Sequence, residues 1–225
     1  MTGVPLRVVS YNVHGLRDDR AALVELVRDL APDVVIVQEA PRRFRWRHKC
    51  AALADDMGLV VGAGGLPSLG NLLLVSLRVR VHETWCLRYP LTPGRHLRGA
   101  AFARCTVRGA AFTISGSHLG TDPVERPAQA AEWKSALSRV EGPLIAAGDL
   151  NEGPGGGAWR TVADGFVTNG TDTLTFPATL PRVLLDALFV SPDISVESYE
   201  VLETEQARRA SDHLPVVADL LLPSS

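Results

Sequence analysis

Two runs of the sequence are apolar at consecutive positions and then turn polar: VVIVQE at residues 34–39 and LIAAGD at residues 144–149. A strand with one exposed face alternates apolar and polar residues, so a continuous apolar run predicts a strand covered on both faces. Two sheets packed face to face, with helices on their outer faces, give that double cover to many strands at once.

The flanking sequence supplies the remaining strands and the helices. Ten segments have β-branched runs bounded by glycine or polar residues, as strands do. They are residues 6–12, 34–38, 71–77, 79–88, 99–107, 111–118, 144–149, 184–190, 195–203 and 215–221. Amphipathic helices are predicted over residues 19–30 and 123–140, and a third helix over residues 47–57 with Gly58 as its stop. The predicted fold is a four-layer α/β/β/α sandwich of two mixed sheets.

The composition indicates a globular protein and excludes several classes. The 225 residues are 46% hydrophobic and 21% charged, which suits one domain over residues 1–225 with a sizeable core. A formal net charge of -2 excludes binding of nucleic acid by bulk positive charge alone. The 3 cysteines are widely spaced without a CxxC pair, which argues against a disulfide framework or a zinc knuckle.

The N-terminal sequence has neither the pattern of a secretion signal nor the run of about 18 apolar residues that a membrane-spanning helix needs. We therefore expect a cytoplasmic protein without membrane contact. We also expect it to be a monomer.

Polar side chains recur at the ends of the predicted strands. Asn12 ends the first strand in SYNVHG, and Glu39 follows the second in VVIVQEA. If these strands are neighbours, Asn12 and Glu39 meet at one edge of the sheet. Carboxylate and amide oxygens are the ligands that Mg2+ prefers, so the pair suits a metal site. Taken alone, Glu39 is equally well explained as a carboxylate at a helix start.

A second polar cluster, Gly148-Asp149-Leu150-Asn151, follows a buried strand and precedes a glycine-rich loop. In an extended segment Asp149 and Asn151 point to the same side and can act together. The alternative is an Asx turn, which is common for Asp and Asn after a strand.

The segment ASDHLPV places Asp212 and His213 at the start of the last strand. Histidine changes its charge near neutral pH and can serve as a base. Asp186 is a carboxylate inside the otherwise apolar strand LLDALFV, so it needs a specific partner. That partner is either Arg182 or a backbone N–H, or else His213.

Two further residues suit contact with a phosphate. His118, which ends the run SGSHLG, can donate to a phosphate oxygen, although a histidine at a strand end is often just a satisfied polar residue. Asn71, which opens the strand GNLLLVS, carries a weaker signal.

In this order the motifs resemble the endonuclease/exonuclease/phosphatase superfamily, which includes deoxyribonuclease I-like and exonuclease III-like metal-dependent hydrolases. The resemblance runs from Leu6 to Leu221 and is carried by SYNVHG, VVIVQEA, GNLLLVS, SGSHLG, GDLNEGP, LLDALFV and ASDHLPV. Each motif is short, but their common order is specific. The resemblance implies the four-layer sandwich, with a site at one rim that hydrolyses a phosphate ester.

The resemblance also implies roles for the motif residues. Asn12, Glu39 and Asp212 would surround Mg2+ or Mn2+, which would stabilise the leaving oxygen. Asp149 and Asn151 would position the attacking water, and Asp186 would orient His213. His118 and Asn71 would contact the scissile phosphate. Whether Asp149 or His213 accepts the proton of the water is left open.

The substrate is least determined by the sequence. RRFRWRHK at residues 42–49 interleaves cations with two aromatic rings directly after Glu39, which suits phosphates and stacked bases. The alternative is a solvated start of the third helix. A second set of cationic residues is formed by Arg95, His96 and Arg98. We expect Arg43, Arg45 and Arg98 to bind substrate phosphates.

The leading prediction is therefore a phosphodiesterase of endonuclease type that acts on DNA, RNA or a nucleotide-like diester. A phosphomonoesterase acting on a small phosphorylated metabolite or a lipid headgroup is the alternative. A catalytically inactive binding module on the same fold is disfavoured, because every motif retains an acid, amide or imidazole.

Overall fold

The two apolar runs form central strands of two different sheets. In this computed structural model, which describes residues 3–224, the first run is strand β2 (Val34–Gln38) and the second is strand β8 (Leu144–Asp149). Every residue of both strands is buried, as strands covered on both faces require.

The first sheet has six strands. Across the sheet they are β11 (Ser195–Val201), β12 (Val216–Leu222), β1 (Val4–Asn12), β2, β4 (Asn71–Val75) and β3 (Val60–Gly65). The sheet is mixed, because β1 and β2 are parallel and the other neighbours are antiparallel. Asn12 lies opposite Gln38, so Asn12 and Glu39 are at the same edge of this sheet.

The second sheet also has six strands. They are β5 (Val79–Arg88), β6 (Gly99–Val107), β7 (Ala110–His118), β8, β10 (Asp186–Val190) and β9 (Val167–Thr168). His118 is paired with Asp149 across the parallel strands β7 and β8, and Asp149 is paired with Asp186 across β8 and β10. These three residues therefore form a row across three neighbouring strands.

The sheets pack through an aliphatic core that includes Ile36, Leu73 and Ile145. At Gly116 of β7 the second sheet comes so close to the first that a Cβ atom would lie 2.5 Å from Cγ2 of Ile36. A larger residue there would push the sheets apart, which explains a glycine in the middle of a strand. This close contact holds the polar ends of the two sheets beside each other.

Five α-helices in the described chain cover the outer faces of the sheets. On the first sheet they are α1 (Arg20–Leu30), α2 (Trp46–Asp56) and α5 (Glu205–Ala210), and on the second α3 (Arg126–Leu137) and α4 (Gly157–Ala163). Asp19 caps α1 by accepting the N–H of Ala22. The predicted α/β/β/α sandwich is confirmed. No helix within residues 3–224 has the length and apolar character needed to cross a membrane.

Several short elements and element ends differ from the sequence-based prediction. Strand β3 was not predicted, because its VVGAGG sequence contains 3 glycines and its pairing shifts register between Val61 and Ala63. Strand β9 has 2 residues, and α4 and α5 have 7 and 6, too few to show a period. The helix predicted over residues 123–140 is shorter at both ends, and the strand predicted from residue 184 begins at Asp186.

Candidate active site

A polar cluster lies where the edges of the two sheets meet. Asn12, at the end of β1 in the first sheet, donates from Nδ2 to Oδ2 of Asp149 in the second sheet across 2.9 Å. Both residues are about 2% exposed. The predicted motifs from opposite halves of the chain, 137 residues apart, are thus in direct contact.

Asp186 and His213 form a buried pair. Nδ1 of His213 lies 2.8 Å from Oδ2 of Asp186, and the two residues are 6% and 1% exposed, respectively. The partner of Asp186 is therefore His213, one of the alternatives open from the sequence. The ring of Phe176 packs on the imidazole with 4.8 Å between the ring centroids, which further fixes its orientation. Nε2 of His213 then faces Oδ2 of Asp149 at 3.7 Å.

Asn151 follows Asp149 in a turn. Oδ1 of Asp149 accepts the backbone N–H of Asn151 across 2.8 Å, and Asn151 has a φ of 52°. The Asx turn is thus present and the segment is not extended. The turn nevertheless carries the Asn151 side chain into the cluster, where Nδ2 donates to the carbonyl of Leu119 and lies 3.0 Å from Nε2 of His118.

His118 lies between Arg98 and Asp149. Its Nδ1 is 3.1 Å from a terminal nitrogen of the Arg98 guanidinium, and its Nε2 is 3.3 Å from Oδ2 of Asp149. Arg98 and the Asn151 amide each offer an N–H to one of the two ring nitrogens, and a neutral imidazole accepts only one such bond. The imidazole of His118 is thereby held in place between Arg98, Asn151 and Asp149.

Burial and neighbouring charges shift the pKa values in the cluster. Burial, with the nearby charge of Asp186, raises the pKa of Asp149 to about 7. Burial alone would lower the pKa of His213, but the carboxylates of Asp186 and Asp149 outweigh it and raise that pKa to about 10. Burial and the positive charge of Arg98 lower the pKa of His118 well below its ordinary value. At neutral pH, His213 is therefore charged and His118 neutral.

The three predicted metal ligands belong to segments that meet at the edge of the first sheet. The hydroxyl of Ser211 donates to the backbone carbonyl of Asn12 across 2.6 Å, which holds the loop of Asp212 against the end of β1. Glu39 follows the neighbouring strand β2, with a φ of 57°, and is half-buried. These residues offer oxygen ligands at a partly exposed edge, which is the chemistry that fits Mg2+ or Mn2+.

Two residues beside this edge, His14 and Asp18, were not predicted as site residues from the sequence. One ring nitrogen of His14 lies 2.8 Å from Asp18, and the other lies 3.7 Å from Asp212. The side chains of these three residues are close enough together to ligate one metal ion. The available signal was the position of His14, two residues after Asn12. The contact with Asp18 depends on the turn that follows β1 and has no sequence signature.

The predicted phosphate-binding residues fall into different environments. Asn71 is 1% exposed, and its Nδ2 donates to the carbonyls of Ser68 and Gly99, so both N–H groups are used within the protein. Arg43 and Arg45 are exposed on the segment that leads into α2.

Arg98 and Arg42 act on His118 more directly than Arg43 and Arg45 do. Arg98 contacts His118 directly, and the guanidinium of Arg42 donates to the carbonyl of Leu69 across 2.9 Å. The charge of Arg42 also acts on His118, in the direction that lowers its pKa.

Comparisons with known proteins agree with the fold and with the family resemblance of the sequence. The model of the endonuclease/exonuclease/phosphatase family matches residues 9–213. No curated protein matches the sequence.

Three similar solved structures illustrate the fold. A family protein from Bacteroides thetaiotaomicron is 17% identical with a TM-score of 0.83, over 99% of this chain and 96% of that chain. A mannosyl-6-phosphatase from the same species is 18% identical with a TM-score of 0.80, over 96% and 100%. TDP2 from D. rerio, complexed with a single-strand DNA product, is 18% identical with a TM-score of 0.76, over 96% and 98%.

Proposed function

The chain belongs to the endonuclease/exonuclease/phosphatase family, and from this premise and the geometry of the site we propose that it is a divalent-metal-dependent phosphoesterase. The observation that carries the proposal is the contact of Asp149 with Asn12, His118 and His213. A carboxylate, an amide and two imidazoles converge there from both sheets. Such a site positions and polarises groups, which is what phosphoryl transfer to water requires.

Asp149 is the proposed general base. A water molecule attacks phosphorus and gives a proton to Asp149, the P–O bond breaks, and the leaving oxygen takes a proton to become an alcohol. A pKa of about 7 suits a base that works near neutral pH. His213 is less suited, because Asp186 and Asp149 keep it protonated and leave it no lone pair to accept a proton.

The charged His213 and the neutral His118 are proposed to bind the phosphate. Each places its Nε2 on the side of Asp149, at 3.7 Å from Oδ2 for His213 and 3.3 Å for His118. Hydrogen bonds from these groups strengthen as negative charge grows on the phosphate oxygens. Asp186 and Arg98 are positioning residues, since each acts through one of the two histidines. Asn151 positions the water beside Asp149.

Asn12, Glu39 and Asp212 are the residues proposed to hold the metal ion, Mg2+ or Mn2+. A bound divalent ion neutralises the phosphate charge and stabilises the leaving oxygen. Asn12 has a further task, because its Nδ2 donates to Asp149 and so fixes the carboxylate relative to the metal edge.

Nucleic acid is the first candidate substrate. Its support is the exposed segment of residues 42–49, in which Phe44 is 83% exposed and the guanidinium of Arg47 lies 4.5 Å from the ring centroid of Trp46. Exposed cations and rings suit phosphates and bases. The complex of D. rerio TDP2 with single-strand DNA shows that a protein of this fold holds such a ligand.

A small phosphorylated metabolite is the second candidate. Its support is a cavity of about 210 Å³ that has Arg98 in its wall and therefore adjoins His118. The mannosyl-6-phosphatase from Bacteroides thetaiotaomicron is a protein of the same fold with such an activity. A lipid headgroup is a less favoured member of this class.

A catalytically inactive binding module is the remaining alternative. It would have no need to keep a buried Asp186–His213 pair whose free imidazole nitrogen faces another carboxylate. Burying such groups is costly unless they serve a purpose, because charges lose their hydration inside a protein.

The experiment is hydrolysis of a substrate panel with added Mg2+ or Mn2+. The panel contains plasmid DNA, single-stranded DNA, RNA, an abasic-site duplex, bis-p-nitrophenyl phosphate and p-nitrophenyl phosphate. We expect cleavage of at least one ester that EDTA abolishes and metal restores. Cleavage of diesters would favour the nuclease, and cleavage of monoesters alone the phosphatase. Failure of a folded, metal-supplied protein on every ester would contradict the proposal.

A further inference from the structure

A cavity lies beside the candidate site, between the loop before β6 and the loop before α3. It has a volume of about 210 Å³, and five of its lining residues carry the argument below: Arg95, His96, Arg98, Asp122 and Glu125. We refer to it as the Arg98 cavity. Pockets for drug-sized ligands measure about 300–1,000 Å³, so this volume suits one ring of a small molecule.

Arg98 connects this cavity to the reaction centre. The residue is 9% exposed, one terminal nitrogen contacts Nδ1 of His118 at 3.1 Å, and its buried Nε has no hydrogen-bond partner within residues 3–224. His118 in turn is 3.3 Å from Asp149. A molecule whose phosphate is bound at His118 can therefore reach the Arg98 cavity with the remainder of its structure.

The lining of the cavity mixes donors and acceptors. Arg95 and Asp122 form an ion pair, and the negative charge of Glu125 acts on Arg98. The two arginines and the two carboxylates cancel in charge. A second phosphate would meet both carboxylates, so a doubly phosphorylated ligand is disfavoured. A hydroxyl group both donates and accepts, and it therefore matches carboxylates and guanidinium groups placed side by side.

The same lining argues against a nucleobase. No Phe, Tyr or Trp ring lines the Arg98 cavity in the part of the chain that the structure describes, so a base would find only the imidazole of His96 as an aromatic surface. A second cavity, of about 260 Å³, shares Arg95, Asp122 and Glu125 with the first. It leaves room for a substituent on a ring that is bound in the Arg98 cavity.

From this geometry we propose that the Arg98 cavity binds the sugar of a phosphorylated sugar, with Glu125 and Asp122 accepting hydrogen bonds from its free hydroxyls. This inference rests on the proposed function and specifies its substrate as a sugar phosphate monoester. Water attacks the phosphorus, the P–O bond to the sugar breaks, and inorganic phosphate and the free sugar are formed. The proton taken from the water by Asp149 balances the one that the sugar oxygen receives.

The test compares sugar phosphates with a ring analogue that lacks their hydroxyl groups. Initial rates of phosphate release are measured with metal for a panel of hexose and pentose phosphates, and for cyclohexylmethyl phosphate, which keeps the ring and lacks the hydroxyls. We expect kcat/KM for the best sugar phosphate to exceed that of cyclohexylmethyl phosphate by about a hundredfold or more, because the analogue would desolvate the half-buried carboxylates without giving them a hydroxyl partner. A ratio near one would overturn the proposal.

Glu125→Gln locates this preference in the cavity. We expect it to lower kcat/KM for the sugar phosphate by about tenfold through KM, since a hydrogen bond to a charged acceptor is replaced. Activity on cyclohexylmethyl phosphate should fall less than activity on the sugar phosphate, because the analogue has no hydroxyl for Glu125 to bind. Glu132→Gln makes the same charge change at an exposed position of α3 and should affect neither substrate. An equal effect of Glu125→Gln on both substrates would overturn the assignment.

A binding measurement separates failure of this inference from failure of the proposed function. Saturation-transfer NMR with the hexose phosphates reports contact of the sugar protons with the protein whether or not hydrolysis occurs. Sugar contact that Glu125→Gln removes, without hydrolysis of any ester, would support the cavity and contradict the phosphoesterase. Hydrolysis of cyclohexylmethyl and p-nitrophenyl phosphate without sugar preference or sugar contact would support the phosphoesterase and contradict the sugar site in the cavity.

Discussion

Nδ1 of His213 lies 2.8 Å from Oδ2 of Asp186 in the interior of the protein, and the other ring nitrogen of His213 faces Asp149. The pair joins the loop before β12 in the first sheet to β10 in the second. It therefore links the packing of the two sheets to the orientation of one imidazole. Several consequences can be measured.

Asp186→Asn should lower the rate of hydrolysis even though the variant stays folded. The amide keeps the shape of the side chain, but it no longer stabilises a charged His213, and a donor that stabilises the transition state contributes about a hundredfold or more to the rate. Steady-state kinetics with circular dichroism as the folding control would measure this. In the double variant with His213→Asn, the loss should be little greater than in either single variant. Additive losses would show that the two residues act separately.

The His213–Asp186 pair also predicts a pH dependence of stability. The pKa of His213 is raised to about 10 in the folded protein, above its ordinary value, so the pair stabilises the fold fully below about pH 6.5 and loses this contribution as the pH rises through 10. Urea unfolding in EDTA would measure the free-energy difference between the wild type and His213→Asn. That difference should shrink from pH 6.5 to pH 10. A difference that grows with pH would contradict the charged pair.

A divalent ion should stabilise the protein through Glu39. An ion that binds only the folded state adds about 2.7 kcal/mol of stability when its concentration is one hundred times Kd. Thermal unfolding should therefore shift upwards when Mg2+ or Mn2+ is added, and Glu39→Gln should remove most of the shift. Glu132→Gln, exposed on α3, serves as the control. An undiminished shift in Glu39→Gln would remove Glu39 from the metal site.

Removing the carboxylate of Asp33 should cost more stability than removing that of Glu83, although both pair with an arginine. It is 3% exposed and accepts both the backbone N–H of Arg7 at 3.0 Å and the guanidinium of Arg78 at 2.8 Å. Asp33→Ala should cost about 2–3 kcal/mol, because the backbone N–H of Arg7 and the guanidinium of Arg78 both lose a buried charged acceptor. Glu83→Ala, which breaks the exposed pair with Arg104, should cost less than about 1 kcal/mol. Urea denaturation of both variants would check the order, and equal costs would contradict it.

The fold was predictable where local pattern and burial agree. The runs at residues 34–38 and 144–149 were bounded correctly, because strands covered on both faces leave an unbroken apolar sequence. Strand β3 was missed because close packing of its glycines, and not apolar alternation, holds it in place. At Gly64 of that strand, a Cβ atom would lie 2.2 Å from the carbonyl of Asn71.

The site was predictable in its residues and less so in its contacts. A lone acid in an apolar strand indicated that Asp186 has a specific partner, and the structure supplies His213. The left-handed turn at Asn151 and the contact of Arg98 with His118 join segments far apart in sequence. Such contacts depend on how the loops pack against each other, and a single sequence carries no local pattern for them.

The central claim is that Asp149 is the base of a metal-dependent phosphoesterase. The most direct test is the rate of hydrolysis of the best phosphate ester, with metal, by the wild type, Asp149→Asn and the exposed control Glu132→Gln. Asp149→Asn should stay folded and lose about a hundredfold or more of its rate, because the amide cannot accept the proton of the water. The control should match the wild type. Full activity in a folded Asp149→Asn variant would contradict the account.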